Sequence, residues 1–100
     1  MPETTTRNYQ TVATRGFLAA LTKLTPAEQA RTARIMRETT CFLSQPGNPD
    51  WVIGDPDIGK PTTEDEGRTA RVPAPLKFYA IADDHGDGKY VITFMLPEDY

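Results

Sequence analysis

The stretch LKFYAIADDHGDGKYVITFMLPEDY, residues 76–100, decides the fold class. Two runs rich in β-branched and aromatic residues, LKFYAIA and KYVITFML, flank the polar segment DDHGDG, whose glycines suit the positive backbone angles of a tight turn. Together they predict a β-hairpin. Leu76, Phe78, Ala80 and Ala82 alternate with Lys77, Tyr79 and Ile81, and Tyr90, Ile92 and Phe94 alternate with Val91, Thr93 and Met95. Successive side chains of a strand point to opposite faces, so one face of each strand should pack under a second layer.

The first half of the chain supplies that layer. From Thr14 onward Phe17, Leu18, Leu21 and Leu24 fall at helical spacing and form an apolar stripe. LTPAEQ then ends one helix and opens another: Thr25 is an N-cap, Pro26 suits the first helical position, and Glu28 closes a capping box. The second helix is expected from Pro26 to about Leu43, with Ala27, Ala30, Ile35, Thr39, Phe42 and Leu43 facing inward and Arg31, Arg34, Arg37 and Glu38 facing water. SQPGNP stops it, because proline cannot continue the ladder. Upstream, YQTVA (9–13) alternates as a short first strand, and residues 1–8 read as a frayed arm. Downstream, WVI (51–53) and RTARV (68–72) read as strands, and the Gly-, Pro- and acid-rich stretch 54–67 as a mobile loop. The expected order is β-α-α-β-β-β. The expected architecture is a single α+β domain over residues 1–100, in which an N-terminal helical hairpin (with the short strand, 9–47) packs on a small antiparallel β-sheet (51–100).

Several function classes are excluded by composition. Phe17–Leu21 is the longest early apolar run, too short for a signal-peptide core or a bilayer span, so a cytoplasmic protein with no membrane partner is expected. Cys41 is the single cysteine and His85 the single histidine, which leaves no intrachain disulfide and no cysteine- or histidine-based zinc site. The aspartates of DDHGDG and GDPDIGK lack the spacing and closing glutamate of an EF-hand, so no metal or cofactor is expected. The formal net charge of −3 hides an asymmetry: residues 1–47 hold six Lys/Arg against three Asp/Glu, and residues 48–100 hold five against eleven. Overall acidity disfavours broad nucleic-acid binding, which rests on phosphate neutralisation, but leaves room for a local basic patch.

The segment 14–49, followed by GRTARV (67–72), KFYAIADD (77–84), YVITFML (90–96) and PEDY (97–100), resembles the RelE/ParE toxin superfamily in the order of its elements. The resemblance spans roughly residues 9–100. It implies the toxin of a toxin-antitoxin pair: a ribosome-dependent mRNA endonuclease that cleaves without metal, by attack of a 2′-hydroxyl on the adjacent phosphate. Its partners would be a cognate antitoxin, the ribosome and mRNA. A ParE-like relative would instead inhibit DNA gyrase by binding. The chain departs from the family pattern in three ways. Lys77 stands where an arginine is expected, Glu98 and Asp99 replace a histidine before the final tyrosine, and the chain is acidic where family ribonucleases are basic.

Such chemistry needs cations on the phosphorane, a base and an acid. Arg68 and Arg71 are the candidate phosphate clamps, since a guanidinium fork holds two phosphate oxygens at once. If RTARV is a strand, Arg71 shares a face with Thr69, and Arg68 with Ala70 unless it still lies in the loop, which makes Arg71 the first choice. The expected catalytic set is Arg71, Lys77, Glu98 as proton acceptor and Tyr100 as acid-base phenol or base-stacking ring, with Arg68 and Lys60 contacting substrate. A phenol ionises near pH ~10, so Tyr100 needs a cation such as Arg71 beside it to act as a base. Each of these residues also has an ordinary reading as a solvated surface side chain. A third function class needs none of this chemistry: a small acidic protein of phage or mobile-element type that binds and inhibits another protein. His85 reads as a solvated turn residue, Trp51 as a core anchor or interface residue, and Cys41 as a buried or half-buried small hydrophobe.

Overall fold

The second helix begins where the capping residues put it. The Thr25 hydroxyl accepts from the Glu28 backbone N–H at 3.2 Å and the Glu28 carboxylate accepts from the Thr25 N–H at 2.9 Å. The computed structural model describes residues 8–64, 66–86 and 89–100, so the arm expected over 1–8 lies outside the described residues except for the backbone of Asn8. The elements are β1 (Asn8–Ala13), α1 (Arg15–Thr22), α2 (Pro26–Leu43), β2 (Trp51–Asp55), β3 (Thr62–Glu64), β4 (Thr69–Pro73), β5 (Phe78–Asp84) and β6 (Lys89–Met95), followed by a 3₁₀ turn over Pro97–Asp99. Among the described residues no helix is long and apolar enough to cross a membrane.

The expected helical hairpin at the N-terminus of a small antiparallel sheet is corrected on two counts. A strand precedes the helices, and the sheet has six strands in the order β1-β6-β5-β2-β4-β3. It is also mixed: β1 runs parallel to β6 and β2 parallel to β4, while the pairs β6–β5, β5–β2 and β4–β3 are antiparallel. Alternation assigns each residue to a face, but it names neither the partner strand nor its direction. A parallel pair needs a crossover of about a dozen residues or more. Both helices lie within the long crossover from β1 to β6, and residues 56–68 make the one from β2 to β4. The stretch 54–67, expected as a loop, therefore completes β2 and contributes β3. Gly54 belongs in β2 because the Phe78 ring lies over it, and a Cβ there would sit 2.1 Å from that ring.

The strand registers sort every outward and inward side chain. Phe78, Ala80 and Ala82 share one face with Val52, Ala70, Ile92 and Phe94, and all are buried under Phe17, Ile35 and Leu43 of the helices. Phe17 meets both Phe78 and Phe94 at 5.8 Å between ring centroids. Within α2 the inward set differs from the expected one: Ala27 and Ala30 are exposed and Thr32 is buried. Thr32 can be buried because its hydroxyl donates to the Glu28 carbonyl at 2.8 Å. Cys41, expected to be at least half-buried, is exposed. At the far edge, β1 is tied to the helix layer by the Tyr9 hydroxyl, which donates to the Leu43 carbonyl, and to β6 by Tyr9–Tyr90 stacking.

Candidate functional site

The opposite face of the sheet carries no helix, and two of the sequence-predicted residues, Arg71 and Tyr100, lie on it. The β2–β4 register places Thr69 beside Trp51 and Arg71 beside Ile53, and the β2–β5 register places Tyr79 beside Ile53. Arg71 thus projects from the helix-free face with Thr69, as its alternation implies, while Arg68 precedes β4 and is exposed.

The environment of Arg71 is acidic. Its Nε donates to Glu64 Oε1 at 2.6 Å and its Nη1 donates to Asp55 Oδ2 at 3.2 Å. The second carboxylate oxygen of Asp55 accepts from the Asp57 backbone N–H at 2.8 Å. The hydrogen bond to Glu64 is the main reason the guanidinium's pKa is raised above its ordinary value, with the charges of Glu64 and Asp55 adding to it against the opposing effect of burial. Two of the three guanidinium nitrogens, Nε and Nη1, are therefore engaged by carboxylates of this chain.

Tyr100 lies on the same face, over β2 and β5. Its ring is 5.3 Å from that of Trp51 and 5.8 Å from that of Tyr79, which themselves meet edge-on at 5.4 Å. The tail is held in place by Asp99, which accepts from the Thr14 hydroxyl at 2.7 Å and from the Leu96 N–H at 3.2 Å. Trp51 is half-buried in this aromatic cluster, on the face of the sheet away from the helices, and its indole N–H is buried without a hydrogen-bond partner among the described residues. The other expected site residues are not drawn in. Lys77 is exposed just before β5, Glu98 is exposed in the 3₁₀ turn, Lys60 is exposed between β2 and β3, and His85 is exposed in the β5–β6 turn. Arg71 and Tyr100 share a face, but the groups in contact with each are different ones.

A second feature lies on the helix side, and sequence reading missed it. Six strands at ~4.8 Å spacing span roughly 24 Å, more than a helix of about 10 Å diameter can shade. Where α2 crosses β2, the neighbouring strands β4 and β3 stand out beyond it. The gap is a groove of about 700 Å³, floored by Val52, Ala70 and Val72 and walled by Pro61–Thr63 on one side and by α2 on the other. The α2 wall is a stripe at helical spacing, Arg31, Arg34, Ile35, Glu38, Thr39 and Phe42. Among the described residues neither Arg31 nor Arg34 enters an ion pair. The signal was present in the sequence, since apolar residues at i+4 and i+11 from Arg31 share its stripe. Nothing in the sequence said that the sheet would extend past the helix. No family model matches the sequence, and no curated protein or solved structure matches it either.

Proposed function

We propose that this chain acts by binding another protein rather than by cutting RNA, and that the groove between α2 and β4 receives the partner. The observation that carries this reading is the contrast between two kinds of arginine. Arg71, the expected phosphate clamp, is held by Asp55 and Glu64, whereas Arg31 and Arg34 stand over an apolar floor with no ion pair among the described residues. An apolar groove with cations on one rim suits an amphipathic segment that carries carboxylates, bound as a helix laid in a groove. The RelE/ParE resemblance offers candidates for such interactions: an antitoxin as the occupant of the groove, and DNA gyrase as the target of a non-catalytic toxin.

The test uses the full chain as bait in its own cells, beside the charge-reversed variant Arg31→Glu/Arg34→Glu. The expected outcome is a partner whose affinity, remeasured with purified proteins, falls at least ~10-fold in the variant, or roughly 1.4 kcal/mol. Equal binding by both forms would remove the groove from the account.

Endonuclease action remains a second reading, favoured by one observation: Arg71 and Tyr100 lie on a common face, as a shared site would require. Translating ribosomes and mRNA incubated with the purified chain decide it. Intact message is expected. Cleavage that disappears in Arg71→Ala would replace the binding proposal.

A further inference from the structure

We infer that the outer edge of β1 is a docking site for an extended segment of another protein, which joins the sheet as a further strand and sets apolar side chains and a carboxylate against the neighbouring flank of α2.

The two edges of the sheet differ. β3 is three residues long, follows Pro61 and ends in Glu64, whose carboxylate binds Arg71. Short length, proline and charge are the features that keep an edge strand from pairing with another chain. β1 has six residues, Asn8–Ala13, and none of them is charged, proline or glycine. Among the described strands it pairs with β6 alone. The Thr14 N–H donates to the Phe94 carbonyl at 3.0 Å, which continues that ladder one residue beyond β1. The N–H and C=O of one strand residue point to the same side, and the side alternates along the strand. Gln10 and Val12 therefore turn theirs to β6, as Thr14 does, and Thr11 and Ala13 turn theirs outward, where no described strand lies.

A groove of about 560 Å³ adjoins this edge on the helix side. Thr11 of β1 and Phe94 of β6 lie on one side of it, and Met36, Arg37, Thr40 and Cys41 of α2 on the other. None of these α2 residues lines the groove beside β4, so the two grooves lie on opposite flanks of the helix and are separate sites. A strand added ~4.8 Å beyond β1 brings every second side chain under this flank, where Met36 and Phe94 favour apolar ones. Among the described residues Arg37 enters no ion pair, and Glu38, its neighbour in sequence, faces the other groove. A carboxylate on the incoming segment complements it. The same charge argues against a second copy of this chain. Two β1 strands paired edge to edge about a two-fold axis would set the two α2 flanks side by side, Arg37 toward Arg37.

The test uses the full chain and a set of capped decapeptides that alternate valine with threonine and step one glutamate through the valine positions. Anisotropy of the labelled peptides should show binding for those registers that bring the glutamate to Arg37. Replacing that glutamate by lysine should weaken binding at least ~10-fold, and Arg37→Glu in the chain should invert the preference. In the saturated complex, amide exchange at Thr11 and Ala13 should slow at least ~10-fold relative to the chain alone. Thr11→Pro removes an outward N–H and no bond to β6, so it should abolish binding while the far-ultraviolet spectrum is kept. The variant Arg31→Glu/Arg34→Glu should bind these peptides as the unaltered chain does. No binding of any register up to millimolar peptide overturns the proposal. So do binding that leaves exchange at Thr11 and Ala13 unmoved, indifference to the glutamate-to-lysine change, and loss of binding in Arg31→Glu/Arg34→Glu, which would move the peptide to the other groove. Should Thr11→Pro unfold, the exchange measurement on the unaltered chain decides in its place.

Discussion

Arg71 shows how much a residue's chemistry depends on what the fold brings to it. Its side chain is 26 % exposed and that of Asp55 only 11 %, so the pair is largely withdrawn from water, whereas Glu64 at 44 % is not. Truncating Arg71 leaves Asp55 with the Asp57 N–H as its described donor. Arg71→Ala should therefore lose about 1–3 kcal/mol, the usual cost of stranding a nearly buried polar group, and Asp55→Asn in the same background should recover part of it. Urea titration of the two single variants and the double variant checks both statements, and additive losses would mean that the pair is not coupled. A different constraint governs Gly54, where Phe78 occupies the space of a Cβ. Gly54→Ala must displace that ring from the centre of the core and should cost roughly 1–3 kcal/mol by overpacking. The paired variant Gly54→Ala/Phe78→Leu should be less destabilised than Phe78→Leu alone predicts, because the added methyl then fills space that the ring has left.

At the scale of elements, α2 was read from its first four residues, and its bounds are those the sequence implied. The capping box explains why: the signal is local, and both of its hydrogen bonds join residues three apart. Thr25→Ala removes the hydroxyl that satisfies the Glu28 N–H and should cost about 0.5–2 kcal/mol. The same motif gives a pH dependence. Glu28 has its pKa lowered chiefly by the hydrogen bond from the Thr25 backbone, then by the Thr25 side chain, with a small aid from Arg31 and a small opposition from burial. A depressed carboxylate pKa means that the folded chain holds the charged form better than the unfolded chain does. This contribution is complete above the ordinary glutamate value of ~4.3 and is lost as pH falls through the lower folded value. Loosening of the first turn of α2 on acidification, followed by amide exchange at Ala27 to Gln29, should begin below that value and be absent from Glu28→Gln. An identical acid response in Glu28→Gln would assign it to other carboxylates.

For the whole molecule, what could be read in advance divides by range. The hairpin of β5 and β6, the helices and the faces of each strand rest on neighbours in sequence and were legible. The pairing of β1 with β6 and of β2 with β4 joins segments far apart, and nothing local to YQTVA or WVI encodes a partner or a direction. The candidate site divides the same way: Arg71 could be singled out by type and spacing, but Glu64 and Asp55 lie 7 and 16 residues away in a stretch that reads as a loop. Distant pairing also sets the order of assembly. Loop-closure entropy must be met before a non-local contact returns anything, so sheets of this kind fold over milliseconds to seconds, roughly, rather than microseconds. The β5–β6 hairpin closes a short loop, whereas β1 can dock only after β6 and the end of α2 are in place, because Tyr9 bonds to the Leu43 carbonyl and stacks on Tyr90 of β6. Tyr9→Phe deletes that hydroxyl and should cost about 0.5–1.5 kcal/mol. If β1 joins last, the loss appears almost wholly as faster unfolding, with the folding limb of a Trp51-detected chevron unchanged. A folding limb that slows in proportion to the lost stability would place β1 in the nucleus, and the two parallel pairings would then have to form before the hairpin can consolidate.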